Sequence, residues 1–362
     1  MHFATRLRAT ALGVVALSGL ALSQTWSACN PLHTTCPANT ALAMTVNVDF
    51  TKGAVDAFRP SGGTAPTYGR DGVSFTVARG GDAPQLISVF YIMFGRVEVT
   101  MKAAPGKGIV STLVLQSDTL DEIDLEWLGA DGSEVQSNYF GKGLTTSYNR
   151  GQFHKNPGNQ DRFITYAIDW TQDRIIWSID GTAVRTLKYA DAEPGQYPQT
   201  PMQVKFGAWS GGDPANPSGT VEWARGPTDY SRGPFSMLVR SIVVADYSSG
   251  KQYKYKDTSG TWQSIEAVGG SVNGNKDRAG SITVTATAAA ATSLSPSVPA
   301  GIGGPAAVKP SAYPSPYPVP EGWRIRSDGK LIPAAGALIR PPHLALIFGP
   351  LILCLVVIGI RR

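Results

Sequence analysis

Residues 121–129 read Asp-Glu-Ile-Asp-Leu-Glu-Trp-Leu-Gly, and their alternation decides the fold class. In an extended strand, successive side chains point to opposite faces. One face consists of Ile123, Leu125 and Trp127. The other face consists of Glu122, Asp124 and Glu126. The stretch is therefore predicted to be a β-strand with an apolar face for a core and a row of carboxyl groups opposite.

The same kind of pattern extends outward from this strand. Between Thr45 and about Tyr247, short runs rich in Val, Ile, Thr and aromatic residues alternate with Gly, Asp, Pro and Asn turns. Residues 96–102 alternate apolar and polar side chains, and so do residues 175–179 before the Asp180-Gly181 turn. Such short strands at close spacing are typical of an all-β sandwich or barrel. Residues 219–223 are predicted to begin a further strand.

Composition narrows the class of function. The chain has 362 residues, of which only 16% are charged, and Lys and Arg outnumber Asp and Glu by 32 to 27. No dense basic stretch accompanies this excess, so nucleic acid is not expected as a partner. The 4 histidines form neither a metal-ligand pattern nor a Ser-His-Asp set, and His154 is expected in a loop. No nucleotide-binding glycine motif occurs, so neither a metal nor an organic cofactor is predicted.

The first residues have the features of a targeting segment. Arg6 and Arg8 precede an apolar run that ends at a small-x-small site before Gln24, which predicts a signal peptide over 1–23. The alternative is a membrane span, for which the run is short. In a secreted chain, the close spacing of Cys29 and Cys36 suggests one disulfide, whereas a metal site would need more ligands than His33 supplies.

The C-terminal third differs in composition from the rest. Residues 267–343 are rich in Pro, Ala, Ser, Thr and Gly and predict a disordered stalk after a folded domain over 24–266. Residues 344–362 are an apolar tail that ends in two arginines. A single membrane span fits this tail, and so does a glycolipid attachment signal with Ser327 or Gly329 as the modified residue. Both readings hold the folded part of the protein outside the cell, at the cell surface. A monomer is expected.

The acidic face of the strand at 122–126 needs a chemical reason, because adjacent like charges destabilise a strand. Retaining glycoside hydrolysis provides one, since it uses a carboxylate nucleophile and a carboxylic acid about 5 to 5.5 Å apart. Positions i and i+4 of a flat strand place their Cα atoms about 13 Å apart, so the outer side chains must lean together. Two alternatives are a solvated strand face and an acidic calcium site.

The motif D-E-I-D-L-E-W-L-G resembles the active-site strand of glycoside hydrolase family 16. Within that family, the fungal cell-wall Crh transglycosylases are the most similar. They share C-N-P-L-x-x-T-C-P at Cys29, N-Y-F-x-K-G at Asn138 and W-x-G-G-D-P at Trp209. The resemblance implies a β-jelly-roll sandwich with a concave substrate cleft and a retaining mechanism. It implies Glu122 as nucleophile, Glu126 as general acid/base and Asp124 as the assisting carboxylate.

The resemblance also implies which residues bind the sugar. Lys205 and Trp209 share the polar face of a predicted strand at 202–209, and with Thr220 they correspond to chitin contacts in Crh enzymes. For Trp209, the alternative is a place in the core. Trp223 is a further position that matches the family. Gln116, Asn138 and Tyr139 flank the acidic strand in sequence and are the remaining candidates for substrate binding, with a turn or core position as the alternative for each.

The function expected from this resemblance is transfer of a chitin chain to β-glucan in cell-wall cross-linking, with water as a second acceptor that gives chitinase side activity. Polysaccharides are then the partners. An endo-β-glucanase of the same fold is one alternative. A carbohydrate-binding surface protein with inert acids is another.

Overall fold

A computed structural model describes residues 27–144 and 149–278, and beyond them the backbone of three short strands. The predicted signal peptide 1–23, the tail 344–362 and most of the predicted stalk lie outside the described residues. Predictions about these segments therefore stay predictions. Among the described residues, no helix is long and apolar enough to cross a membrane.

Short strands are the main regular structure of the described residues. In chain order, they are β1 (Asn39–Thr40), β2 (Thr45–Asp49), β3 (Phe58–Ser61), β4 (Thr67–Gly69), β5 (Gly72–Val77), β6 (Gln85–Ser88), β7 (Gly95–Lys102), β8 (Ile109–Ser117), β9 (Glu122–Leu128), β10 (Glu134–Phe140), β11 (Gln152–Lys155), β12 (Ile164–Trp170), β13 (Arg174–Ile179), β14 (Thr182–Lys188), β15 (Met202–Ser210), β16 (Phe235–Asp246), β17 (Gln252–Tyr255), β18 (Ile265–Val268), β19 (Thr283–Ala286), β20 (Trp323–Ile325) and β21 (Leu331–Pro333). One α-helix, α1, spans Ser218–Trp223. The 3-10 helices span Phe50–Lys52, Tyr189–Asp191, Tyr230–Arg232 and Trp262–Ser264.

Most of these strands form two large sheets, while β1, β17 and β18 form a 3-stranded sheet and β20 pairs with β21. A 7-stranded sheet has the order β11-β10-β9-β8-β15-β6-β3. A 9-stranded sheet follows the order β14-β13-β12-β7-β16-β2-β19, with β5 also paired to β16 and β4 paired to β5. Within the two sheets, neighbouring strands are antiparallel, apart from β19, which runs parallel to β2. The expected all-β sandwich is confirmed.

The core lies between the two sheets. The predicted alternation of residues 96–102 holds in β7, where Val97, Val99 and Met101 are fully buried and the residues between them are partly exposed. The Trp127 ring of β9 meets the Tyr166 ring of β12 edge to face, with centroids 4.6 Å apart. Such aromatic pairs add about 0.5 to 1.5 kcal/mol beyond the area that they bury. The apolar face of β9 is thus anchored against the opposite sheet.

Two predictions are wrong: the end of the domain over 24–266, and the strand at residues 219–223. The catalytic domain does not end at 266, because β18 crosses that position and Asn275 donates from Nδ2 to the carbonyl oxygens of Ala43 and Ser248. The folded part therefore continues to at least residue 278, inside the predicted stalk. Residues 219–223 do not begin a strand, because the N–H groups of Thr220 and Val221 bond to the Pro217 carbonyl oxygen and start α1. Local turn hydrogen bonds here override the strand preference of the sequence.

Candidate active site

The row of carboxyl groups lies on the outer face of β9, within the 7-stranded sheet. Two strands lie on one side of β9 and four on the other. Ile123, Leu125 and Trp127 are buried in the core, as their alternation predicts. The opposite face carries Glu122, Asp124 and Glu126. Because β9 is held by β8 and β10 on both edges, the spacing of these groups is fixed by two hydrogen-bonded ladders.

Strand register determines the neighbours of each carboxyl group. On β8, Gln116 lies opposite Glu122 and Thr112 lies opposite Glu126. On β10, Asn138 lies opposite Asp124 and Gln136 lies opposite Glu126. Directly paired residues have their side chains on the same face, close enough to interact. The acidic row is therefore bordered by amide and hydroxyl groups.

Glu122 is held by a chain of hydrogen bonds that ends at a lysine. Gln116 Nε2 donates to Glu122 Oε2 at 2.9 Å, and Gln116 Oε1 accepts from Lys205 Nζ. A lysine ammonium group can only donate, so it fixes the orientation of the amide and aims the amide N–H at the carboxylate. Burial lowers the pKa of Lys205 from its usual value, while Glu122 and Asp118 act in the opposite direction. The arrangement suits an ionised Glu122.

Asp124 has a different environment from its neighbours. Its side chain is buried, with a relative exposure of 2%. Burial is the main cause that raises the pKa of Asp124 well above its usual range, followed by the charges of Glu126 and Glu122, with Arg185 acting in the opposite direction. Its Oδ1 is buried and has no hydrogen-bond partner among the described residues. An ionised group so placed is costly, so Asp124 is set to carry a proton that it can donate.

A backbone contact from the opposite sheet supports this position. Trp177 Nε1 donates to the Asp124 carbonyl oxygen at 3.1 Å. The Arg185 guanidinium lies over the Trp177 ring, 4.8 Å from its centroid, and donates to the Ser137 carbonyl oxygen. The centre of β9 is thus fixed from behind by side chains of β13 and β14.

A pair of tryptophans lies beside the acidic row. The Trp209 and Trp223 rings are stacked, with centroids 6.2 Å apart and planes inclined by 23°. They pack against buried Val110, Leu128 and Ala224. Trp223 Nε1 donates to Gln136 Oε1 at 3.0 Å, which connects α1 to the residue opposite Glu126. Broad aromatic rings with polar partners are suited to hold a pyranose ring.

The structure brings most of the predicted sugar contacts together. Lys205, Trp209, Gln116 and Asn138 lie on the same sheet face as the carboxyl groups. The α1 segment adds Trp223 and a buried Thr220. Tyr139 is an exception: it is 3% exposed and belongs to the core, because its position on β10 points to the other face. Tyr139 therefore leaves the candidate site.

Gln136 is a site residue that the sequence reasoning missed. It lies two positions before Asn138 on β10, so the same alternation that assigned Asn138 to this face also assigns Gln136. The pairing of β10 with β9 was the missing information. His154, expected in a loop, is instead in β11, where its Nε2 lies 2.8 Å from Ser137 Oγ on the face away from the carboxyl groups.

The sheet surface continues beyond Gln203 into an open recess of about 380 Å³. A disulfide joins Cys29 and Cys36, and their loop forms one wall. Asp118 lies in another wall, where Asn39 Nδ2 and the Tyr91 hydroxyl donate to it. Burial raises the pKa of Asp118, and these hydrogen bonds partly oppose it. Among the described residues, no three His, Cys, Asp or Glu side chains are grouped as metal ligands.

Comparison with known proteins identifies the relatives of this chain. Residues 55–225 match the model of the glycosyl hydrolases family 16. The chain is 57% identical to Crh-like protein 4 of Botryotinia fuckeliana over 347 residues, which cover 92% of this chain and 91% of that protein. It is 48% identical to Crh-like protein 4 of Aspergillus fumigatus, with 92% and 77% covered. Among solved structures, the Crh5 transglycosylase in complex with NAG has 51% identity and a TM-score of 0.64, and the match covers 66% of this chain and 99% of that one.

Proposed function

Because this chain belongs to glycosyl hydrolase family 16, among the Crh-like proteins, we propose that it is a retaining transglycosylase that transfers chitin chains to β-glucan. The observation that carries this proposal is the row of three carboxyl groups on β9, with one buried member between two that reach the surface. Retaining glycosidases need one carboxylate that attacks and one carboxylic acid that protonates the leaving oxygen.

In the first step, Glu122 is the nucleophile. The Gln116 amide donates a hydrogen bond to one carboxylate oxygen of Glu122 and so orients the carboxylate. The other carboxylate oxygen of Glu122 bonds to the anomeric carbon as the glycosidic C–O bond breaks, and Glu126 gives its proton to the leaving oxygen. Asp124 donates a hydrogen bond to Glu122 and limits the negative charge in the row to one group.

In the second step, Glu126 acts as a base. It removes the proton from an acceptor hydroxyl group, and that oxygen displaces Glu122 from the anomeric carbon. If the acceptor is water, the product is a shortened chitin chain, which is the chitinase side activity. If the acceptor is a β-glucan hydroxyl, a chitin–glucan linkage forms. The two outcomes share the same covalent intermediate and differ only in what occupies the acceptor side.

Chitin is the proposed donor because a close relative, the Crh5 transglycosylase, has been solved in complex with NAG. Lys205, Trp209, Thr220 and Trp223 would hold this donor, with Gln116 and Asn138 beside the reacting ring. Hydroxyl and amide groups of the sugar find donors and acceptors here, and the two indole rings supply apolar contact.

The proposed site of action is the cell wall and the outer face of the plasma membrane. The signal peptide over 1–23 would direct secretion, and the apolar tail over 344–362 would hold the protein at the surface as a glycolipid attachment signal or a single span. The enzyme would act there as a monomer on polysaccharide partners.

A transfer assay tests the proposal. Chitin is incubated with a fluorescent β-glucan oligosaccharide, and label in the insoluble polymer is measured together with new reducing ends. Glu122→Gln is expected to lower transfer at least about a thousandfold, because the amide cannot form the glycosyl ester. Glu98→Gln, on the 9-stranded sheet, is the matched control and should keep full activity.

Two results would contradict the proposal. An active Glu122→Gln enzyme would remove Glu122 from the mechanism. Accumulation of reducing ends from β-glucan without any labelled polymer would instead identify an endo-β-glucanase.

A further inference from the structure

An exposed aromatic residue lies on the other side of β9 from the proposed donor contacts Lys205 and Trp209. Phe153 on β11 has a relative exposure of 39%, which is unusual for a large apolar side chain among the described residues. Strand register places it directly opposite Gln136 on β10, and Gln136 is directly opposite Glu126 on β9. Phe153, Gln136 and Glu126 therefore form one row on the same sheet face.

The spacing of this row suits a polysaccharide that crosses the strands. Neighbouring strands lie about 4.8 Å apart, so Phe153 is about 10 Å from the Glu126 position. A sugar unit with its linkage spans roughly one strand spacing. The first ring beyond Glu126 would lie over Gln136, and the second ring would lie at Phe153.

Charged side chains surround Phe153. The Arg225 guanidinium lies 5.3 Å from the centroid of the Phe153 ring. Arg225 Nη2 donates to Glu134 Oε1 at 2.9 Å, and Glu134 lies opposite Lys155 on the edge strand. A ring among hydrogen-bonding groups offers apolar contact to the face of a pyranose and polar contact to its hydroxyl groups.

The backbone at Arg225 supports a fixed arrangement. Arg225 has a φ angle of 70°, in the left-handed region that non-glycine residues seldom occupy. Its N–H bonds to the Glu222 carbonyl oxygen at the end of α1. Such a conformation persists only when surrounding contacts hold it. The helix that carries Trp223 thus also positions the guanidinium over Phe153.

We infer that Phe153, with Arg225 and Gln136, forms the binding site for the β-glucan acceptor, and that Phe153 stacks on the second acceptor ring counted from Glu126. The inference rests on the proposed function. The proposed donor contacts Lys205 and Trp209 lie on β15, on the β8 side of β9. Since Glu126 protonates the leaving oxygen and later deprotonates the acceptor hydroxyl group, the acceptor occupies the positions that the leaving part of the donor vacates, on the β10 side of Glu126.

Kinetics with separate acceptors test this inference. Phe153→Ala is expected to raise the KM for a β-glucan oligosaccharide acceptor about tenfold. It should leave hydrolysis of an aryl chito-oligosaccharide by water unchanged, because the aryl leaving group does not extend to the second ring position. Phe153→Tyr keeps the ring and should restore the acceptor KM. Tyr189→Ala removes another exposed ring, outside the 7-stranded sheet, and is the matched control.

Three results would overturn the inference. An unchanged acceptor KM in Phe153→Ala would show that the ring takes no part. A parallel loss of hydrolysis and transfer would place Phe153 on the donor side or in a structural role. If the unaltered enzyme hydrolyses chito-oligosaccharides but transfers none to glucan, the proposed function itself fails, and the inference fails with it.

Discussion

Asp124 provides the sharpest test of the carboxyl row. Replacing it by Asn or by Ala distinguishes the effect of its hydrogen-bond donor from the effect of its ionisation. Burial, Glu126 and Glu122 raise the pKa of Asp124 well above its usual range, so the proposed mechanism uses it in the protonated form. Asn has the same size, still donates a hydrogen bond and cannot ionise. Ala removes the donor altogether.

The expected magnitudes follow from this hydrogen bond. A hydrogen bond to a charged group contributes about 1.5 to 3 kcal/mol, which corresponds to a factor of about 10 to 150 in rate. Asp124→Ala should therefore lower kcat/KM by about 10- to 150-fold, while Asp124→Asn should stay within about threefold of the unaltered enzyme at neutral pH.

The pH profile gives the second part of this prediction. A raised pKa in the folded protein means that the proton is bound below that pKa and lost as pH rises through it. Above this pKa, the row of carboxyl groups would carry an additional negative charge. The activity of the unaltered enzyme should therefore fall as pH rises, which gives the alkaline limb of its pH profile. Because Asn does not titrate, the limb should move to higher pH in Asp124→Asn.

The assay is the initial rate of aryl chito-oligosaccharide cleavage between pH 4 and 9, with thermal unfolding of each variant as the control for folding. The reasoning is refuted if Asp124→Asn loses as much activity as Asp124→Ala. It is also refuted if the alkaline limbs of Asp124→Asn and the unaltered enzyme coincide.

Two further predictions concern other parts of the structure. Trp223→Phe keeps a ring beside Trp209 but removes the N–H that bonds to Gln136 Oε1, so the KM for the chitin donor should rise about two- to tenfold; an unchanged KM would exclude a role for this contact. Burial raises the pKa of Asp246 from its usual value near 3.8 to about 7. The stability that the protonated Asp246 contributes is therefore present below about pH 4 and is lost as pH rises through about 7. Asp246→Asn should remove this part of the slope of unfolding free energy against pH, measured by denaturant titration; equal slopes would contradict the assignment.

Particular residues show why the sequence predicted some of the site and missed the rest. The alternation of residues 121–129 assigned Glu122, Asp124 and Glu126 to one face, because the side-chain period of a strand is a local property. The alternation of residues 202–209 likewise assigned Lys205 and Trp209 correctly to the sheet face they occupy. Tyr139 became a candidate because it flanks the acidic strand in sequence, but its place in the alternation on β10 puts it in the core.

The sequence by itself determined that the chain is built mainly of short strands, which faces most of their side chains occupy and which residues form the acidic row. Only the tertiary structure decided which strands are neighbours. It brought Gln136 and Phe153 into line with Glu126, folded residues 218–223 into a helix over the site and placed Trp177 behind Asp124. The physical reason is that side-chain alternation follows from the backbone of each strand alone. Strand pairing and burial depend on hydrogen bonds and contacts between residues far apart in the chain.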